Sequence, residues 1–272
     1  MKPRFSVLLA IYEKEYPEYC YLALESIVNQ TVIPDEVVLV KDGPLTMELE
    51  NVIEKYKHLY PDKFKVIALD KNQGLGKALQ IGVVHCSYDI IARMDSDDIA
   101  VSDRFEKQLR VLTDNLDIDI VGSFIDEFDG EITNIISTRK VPLFTTEIYK
   151  GAKRKNPFNH MTVMFRKQAV LAAGNYQPFL WFEDYFLWVR MIINHAKMLN
   201  IPQSLVYART GKQMLERRGG IKYLSSELKL QKEFRRIRFI SLFDVGLNIF
   251  MRAVVRLLPN KIRGYIYISL LR

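Results

Sequence analysis

Residues 88–98 read YDIIARMDSDD, and this stretch decides the fold class because an apolar segment runs directly into three closely spaced aspartates. The segment Tyr88–Met94 predicts a buried strand, and Ser102–Leu112 predicts the helix that follows it. The same pattern occurs three times before it, with strands at Phe5–Ile11, Glu36–Val40 and Phe64–Leu69 and helices at Tyr19–Gln30, Glu48–Tyr60 and Gly76–Cys86. This order predicts an α/β fold with a mostly parallel central sheet flanked by helices.

Length and composition set the outer bounds. The chain has 272 residues, of which 49% are hydrophobic, enough for one large domain with a full core. Its two cysteines, Cys20 and Cys86, lack metal-type spacing, so we expect a reducing, cytoplasmic compartment. The short apolar run after Met1–Arg4 ends in charged residues, which predicts a first strand and not a signal peptide.

The positive charge belongs to the C-terminal part of the chain. Residues 209–272 hold 15 Lys and Arg against 4 Asp and Glu, whereas residues 1–208 hold 24 against 28. A basic tail on a slightly acidic body indicates an anionic partner for that tail, such as nucleic acid, anionic lipid or a phosphate-bearing substrate.

Polar and acidic residues follow the predicted strands. Tyr12 and Glu13 follow the first strand, Asp42 follows the second, and Asp95 follows the fourth. Ligands bind at the carboxyl ends of the strands in such sheets, so these side chains are candidate site residues.

The cluster of Asp95, Asp97 and Asp98 is the strongest chemical signal. Three carboxylates within four residues repel one another unless a cation or hydrogen bonds compensate. Carboxylate oxygens suit Mg²⁺ or Mn²⁺, which can bridge a diphosphate. Taken alone, the cluster would more often cap a helix, but its position after three strand–helix units favours the metal site.

Six segments, in this order, resemble family 2 glycosyltransferases of the GT-A fold, across roughly residues 4–210. They are FSVLLAIYEKE, LESIVNQT, DEVVLVKDGP, NQGLGKALQIGV, IIARMDSDDI and WFEDYFLW. The resemblance implies a GT-A domain over residues 1–210, with a nucleotide-sugar half (1–100) and an acceptor half (101–210), followed by a basic, amphipathic helical extension (211–272).

The resemblance also assigns roles to residues. Asp42 would contact the base, typically uracil, although Lys41 stands where many relatives have a first acid. In the acidic cluster, Asp97 and Asp98 would hold the metal, and Asp95 would contact the ribose or donor sugar. The other donor-binding residues it implies are Ala10, Tyr12, Glu13, Asn72, Gly74 and Lys77.

The acceptor side is expected at residues 181–185, where two acids lie in an aromatic stretch, WFEDY. Relatives use an acid of this pair as general base, and inversion needs a base to take the acceptor's proton. We expect Asp184 to be this base and Glu183 to support it, although an acidic pair can also merely favour a helix N-terminus. Trp181 and His160 are candidate acceptor or diphosphate contacts, with structural roles as the alternative.

The basic region after the sheet offers two further predictions. Arg209, Arg217 and Arg218 lie in a segment that resembles one in transferases of bacterial surface polysaccharides, where it can fold over the donor diphosphate. Arginine forks match phosphate oxygens, and a basic linker is the alternative. Near the C-terminus, polar residues recur every four positions, which predicts one polar stripe on an otherwise apolar helix; they are Asp244, Asn248, Arg252 and Arg256. This helix is too short to span a bilayer, so we expect interfacial membrane contact or packing on the body or a second subunit.

Together these observations predict an inverting, metal-dependent glycosyltransferase. Its donor would be a nucleotide sugar, typically UDP-linked, and its acceptor a saccharide carried on polyprenyl diphosphate for bacterial polysaccharide synthesis. We expect it at the inner face of the cytoplasmic membrane, with no nucleic-acid partner. A sugar nucleotidyltransferase and a non-catalytic basic adaptor, for membrane or nucleic acid, remain the alternatives.

Overall fold

The computed structural model describes residues 3–210 and 220–257, and these form one mixed sheet between helical layers. The strands are β1 (Phe5–Ile11), β2 (Glu36–Lys41), β3 (Phe64–Ala68), β4 (Ile90–Arg93), β5 (Ile99–Ala100), β6 (Ile118–Phe128), β7 (Ile135–Arg139), β8 (Met164–Arg166) and β9 (Lys197–Arg209). The helices are α1 (Pro17–Val28), α2 (Met47–Leu59), α3 (Leu75–His85), α4 (Arg104–Asp114), α5 (Thr145–Gly151), α6 (Lys167–Ala172), α7 (Glu183–Ile193), α8 (Gly220–Arg236) and α9 (Leu242–Leu257).

The sheet confirms the predicted fold class. Its order is β3-β2-β1-β4-β8-β6-β9-β5, with β7 paired to β6. The first four strands are parallel to one another, as the repeated strand–helix pattern predicts. Beyond them, β8 is antiparallel to both β4 and β6, while β6 and β9 are parallel to each other. All four predicted N-terminal strands and helices form, with ends that differ by one to two residues.

The apolar strands are buried on both faces, which is why they read as continuous runs rather than as alternating ones. In β1, Val7 and Leu9 belong to one core layer while Leu8, between them, belongs to the other. In β2, Val37 and Val38 divide in the same way. Helices therefore cover both faces of the sheet. Cys20 and Cys86 are buried free thiols, one in each layer.

The C-terminal helices pack onto the body through a third apolar cluster. Phe186 and Val189 of α7 meet Leu230 and Phe234 of α8. This cluster fixes α8 beside the start of α7, where the predicted acceptor acids lie. The predicted domain division at residue 210 stays a prediction.

Helix α9 contacts the protein through Asp244 and Asn248. Asp244 accepts a 2.5 Å hydrogen bond from Arg154, and Asn248, which has no exposed surface, bonds to both Arg154 and Gln231. Among the described residues, no helix is long and apolar enough to cross a membrane.

Candidate active site

The acidic residues that follow the strands meet at one edge of the sheet. Strand β1 lies between β2 and β4 and runs parallel to both. The carboxyl ends of the three strands therefore point the same way, and they deliver Tyr12, Asp42 and Asp95 to one rim. This arrangement places donor-side candidates from three separate segments together, as the sequence predicts.

Asp95, Asp97 and Asp98 bring their carboxylate oxygens within 4.8 Å of one another. Asp98 is 2% exposed, and its Oδ2 has no hydrogen-bond partner among the described residues. Burial, followed by the charges of Asp97 and Asp95, raises the pKa of Asp98 well above its ordinary value. A buried carboxylate oxygen without a partner, set among other acids, fits the donor set of a divalent cation.

A buried cation lies directly beneath this cluster. The Arg93 guanidinium is 1% exposed and forms an ion pair with Asp95, while its Nε and Nη1 have no partner among the described residues. Its charge lowers the pKa values of Asp98, Glu183 and Asp184, against the larger effect of burial. One guanidinium therefore acts on acids from both predicted halves of the site. Arg93 is not among the residues predicted from the sequence, where its signal is a charged residue that closes an apolar strand.

The side chain of Arg209, a predicted diphosphate contact, interacts with other groups of the protein. Its guanidinium stacks 3.8 Å from the Tyr19 ring centroid and 4.6 Å from that of Phe128, and its Nε donates to the Asp97 carbonyl. Its backbone N–H donates to Asp98 Oδ1 at 2.7 Å. These contacts hold the acidic loop against the end of β9. Arg217 and Arg218 lie outside the described residues.

Asp42 organises the loop before α3. Its two carboxylate oxygens accept hydrogen bonds from the backbone N–H groups of Gln73 and Gly74, at 2.7 and 2.9 Å. Gly43 allows this close approach, because a Cβ there would lie 2.7 Å from the Asn72 nitrogen and its φ is +95°. Asp42, the predicted contact to the base, therefore also stabilises the loop before α3.

The remaining donor-side candidates line the same rim with differing exposure. Ala10, Tyr12 and Lys77 are half-buried, whereas Glu13 and Asn72 are exposed. Lys77 donates to Gln80 at 2.8 Å. Lys41, which stands where relatives have an acid, forms a 2.6 Å ion pair with Glu50 of α2. The Glu50 carboxylate therefore balances the positive charge that Lys41 brings to this position.

Glu183 and Asp184 begin α7 and are both buried. Asp184 accepts hydrogen bonds from the Asn156 amide and the Tyr185 backbone N–H, both at 2.6 Å. Burial raises the pKa of Asp184, and these two bonds oppose the increase. Burial and the charge of Asp184 raise the pKa of Glu183 to about 8. The Asn156 contact was not predicted, since nothing local links residues 28 positions apart.

The acceptor acids touch the donor-side loop. A Cβ at Gly76, in the first turn of α3, would lie 3.0 Å from both the Glu183 Cβ and the Gln177 carbonyl oxygen. Only glycine lets these backbones approach so closely. The two predicted halves of the site therefore meet at the N-terminal end of α3.

The aromatic candidates divide into core and surface. His160 is half-buried, and its Nε2 lies 2.9 Å from the Tyr176 hydroxyl. Burial and the nearby Arg93 charge hold the pKa of His160 well below its ordinary value, so it is neutral at neutral pH. Trp188 is fully buried and belongs to the core. Trp181 is 36% exposed and has a φ of 67°, a rare backbone state for a bulky residue.

The mostly parallel part of the sheet, with its acidic rim, is the arrangement that the resemblance to GT-A glycosyltransferases implies. The Glycosyl transferase family 2 model matches residues 6–173, and the chain belongs to this family. Family membership confirms the predicted class of enzyme and does not favour the nucleotidyltransferase or adaptor alternatives.

Relatives match along nearly the whole chain. An Escherichia coli protein named UDP-Gal:alpha-D-GlcNAc-diphosphoundecaprenol beta-1,3-galactosyltransferase is 42% identical over 270 residues, covering 99% of this chain and 97% of the relative. The amylovoran biosynthesis glycosyltransferase AmsE of Erwinia amylovora is 38% identical, covering 97% of each chain.

Solved structures agree with the fold. S. aureus TarS 1–349 in complex with UDP-GlcNAc superimposes with a TM-score of 0.65 at 19% identity, over 85% of this chain and 66% of that one. The mannosyltransferase PcManGT from Pyrobaculum calidifontis, in complex with GDP-Man and Mn²⁺, gives a TM-score of 0.62 at 14% identity, over 98% and 84%.

Proposed function

We propose that this glycosyltransferase moves a sugar, with inversion, from a UDP-sugar to a saccharide carried on polyprenyl diphosphate. The observation that carries the proposal is that Asp98, Glu183 and Asp184 all lie within reach of the buried Arg93 guanidinium. The name of the 42% identical relative, which specifies a UDP-sugar and a diphosphoundecaprenol acceptor, supports both substrate classes.

Asp97 and Asp98 are the residues we assign to a divalent metal, Mn²⁺ or Mg²⁺. Bound there, the metal would supply positive charge to the departing nucleoside diphosphate. The buried Oδ2 of Asp98, which has no hydrogen-bond partner in the described part of the chain, supports this assignment. The ion pair with Arg93 leaves Asp95 better suited to orient a ribose or sugar hydroxyl than to serve as the main ligand.

The donor's nucleoside would lie along the rim formed by Ala10, Tyr12, Glu13 and Asp42. Asp42 holds the loop of Asn72 and Gly74 by backbone hydrogen bonds, so it sets the shape of the pocket whether or not it also contacts the base. Behind this loop, the N-terminal end of α3 would turn the positive end of its helix dipole toward the diphosphate. Its Lys77 adds a positive charge to that end.

Asp184 is the residue we assign as general base. Its two hydrogen bonds stabilise the carboxylate, which must be charged to take a proton. Glu183, with its raised pKa, holds a proton near neutral pH and so is better suited to donate a hydrogen bond. Asp184 would take the acceptor's hydroxyl proton as that oxygen attacks the anomeric carbon, and the carbon–phosphate oxygen bond breaks on the opposite face.

Trp181 and His160 are assigned to the acceptor side. Trp181 gives an exposed aromatic face beside the two acids, where a sugar ring can stack. Neutral His160 can exchange hydrogen bonds with a hydroxyl or a diphosphate oxygen without bringing a charge. Arg209 supports the acidic loop, and Arg217 and Arg218 remain candidates for the diphosphate.

Helix α9 supports contact with a membrane surface. Its Asp244 and Asn248 face the body, and apolar Leu242, Phe243 and Phe250 are 71%, 77% and 67% exposed. An apolar outward face followed by a basic tail is typical of helices that lie in the interface of an anionic bilayer. Such a site would bring the enzyme to a lipid-linked acceptor.

The test is a screen of UDP- and GDP-sugars with Mn²⁺, with and without a synthetic sugar-diphosphate-alkyl acceptor. We expect nucleoside diphosphate release that depends on a UDP-sugar, on acceptor and on metal, with a product of inverted anomeric configuration. Release of pyrophosphate, or retention of configuration, would contradict the proposal.

A further inference from the structure

A groove separate from the acidic rim runs between the start of α7 and helix α8. Its floor is apolar, made by Pro178, Phe179 and Phe186, and its rim is basic, made by Lys229, Lys232 and Arg236. The rings of Phe179 and Phe186 lie 5.4 Å apart; Phe179 is half-buried, and Phe186 is 5% exposed, so Phe179 offers most of the apolar surface.

The basic rim is built on one face of α8. Lys229, Lys232 and Arg236 are spaced by three and four residues, which places them in one row. Among the described residues, neither lysine has an ion-pair partner, and both are exposed. Arg236 pairs with Glu233, the one acid in the lining, so the rim keeps a positive surplus.

The groove adjoins the acceptor acids. Phe186 lies one helical turn after Glu183 on the same side of α7. The wall at Gln177 and Pro178 touches Gly76, which also contacts Glu183. A ligand in the groove would therefore end within about one helical turn, roughly 5 Å, of the proposed base pair.

An apolar floor beside a row of exposed basic side chains fits a ligand with an anionic head and a hydrocarbon tail. We propose that this groove binds the diphosphate and the first isoprenoid units of the lipid-linked acceptor. Lys229, Lys232 and Arg236 would contact the diphosphate, and Phe179 and Phe186 the hydrocarbon. This inference rests on the proposed function and specifies where its acceptor is recognised.

The experiment compares two acceptors that share one sugar, α-D-GlcNAc carried on diphosphate-alkyl and α-D-GlcNAc as a plain alkyl glycoside. The double variant Lys229→Gln, Lys232→Gln should raise KM for the diphosphate acceptor about tenfold or more, because it removes two charge-assisted contacts. The KM values for the alkyl glycoside and for the UDP-sugar should not change. Arg235→Gln, on the same helix but outside the groove, is the matched control.

Binding of farnesyl diphosphate, measured by calorimetry with EDTA present, tests the groove without turnover. We expect the wild-type protein and the Arg235→Gln control to bind and the double variant to lose about tenfold in affinity. No binding by the wild-type protein would overturn the inference, even if transfer succeeds. Failure of all transfer with binding intact would instead refute the proposed function.

Two other outcomes would also overturn the inference. One is an equal rise in KM for both acceptors, which would mean that the lysines support the site and do not contact diphosphate. The other is a defect seen only with acceptor in anionic vesicles and absent in detergent, which would assign the lysines to the bilayer.

Discussion

Replacing Asp42 by Asn tests whether this carboxylate shapes the donor pocket. Both of its oxygens accept backbone N–H groups from the loop before α3. The isosteric amide keeps one acceptor and turns an NH₂ group toward the other N–H. Since hydrogen bonds to charged groups contribute about 1.5–3 kcal/mol each, we expect Asp42→Asn to lower the free energy of unfolding by about that amount.

The assay is urea unfolding of the ligand-free protein, so that donor binding plays no part in the result. Asp62→Asn, an exposed acid in the turn before β3, is the control and should change stability by less than about 0.5 kcal/mol. Asp42→Asn should also raise KM for the UDP-sugar, because the loop carrying Asn72 and Gly74 loses an anchor. Unchanged stability in Asp42→Asn would refute the loop-holding role, whatever happens to KM.

Three further predictions concern the acids, the core and the surface. Because folding raises the pKa of Glu183 from 4.5 to about 8, the native state binds an extra proton and the stability of the wild-type protein falls as pH rises through this window. Glu183→Gln should remove this loss, so its free energy of unfolding in urea should rise by more than about 1 kcal/mol relative to wild type between pH 5 and pH 8. A difference in unfolding free energy that does not change with pH would contradict the raised pKa. Gly122→Ala should lower the free energy of unfolding by about 1–3 kcal/mol in the same assay, because the new Cβ would collide with the Asn200 side chain and lie 2.7 Å from the buried Phe158 ring. An unchanged free energy of unfolding would show that the core can rearrange at this position. Phe250→Ser should weaken cosedimentation with anionic vesicles about tenfold, while Leu116→Ser, which is 80% exposed after α4, should not; equal binding by both variants would exclude α9 as the contact.

Much of the fold could be predicted because it is encoded locally. The apolar runs of β1 and β2 are buried on both faces, and the turn residues between elements mark their ends. Parallel pairing then follows from the strand–helix order, and with it the gathering of Asp42 and Asp95 at one rim. The antiparallel insertion of β8 was not predictable in this way, since its three residues carry too short a pattern.

The site was predicted less completely, because its supporting contacts span long distances in sequence. The pairing of Asn156 with Asp184 and the packing of Gly76 against Glu183 depend on how separate elements meet. Arg93 was overlooked because a charge at a strand end usually points to solvent, whereas here it is buried under the acids. Of the polar residues spaced by four near the C-terminus, Asp244 and Asn248 lie on the side of α9 that faces the body, which their spacing alone could not indicate.

The central claim is that Asp184 activates the acceptor while a separate acidic cluster holds the donor. The most direct test is single-turnover transfer by Asp184→Asn with UDP-sugar, Mn²⁺ and the diphosphate-linked acceptor, beside a measurement of UDP–Mn²⁺ affinity. We predict that the transfer rate falls by at least about 100-fold while that affinity stays within about twofold of wild type. A transfer rate near that of the wild-type protein would contradict the account.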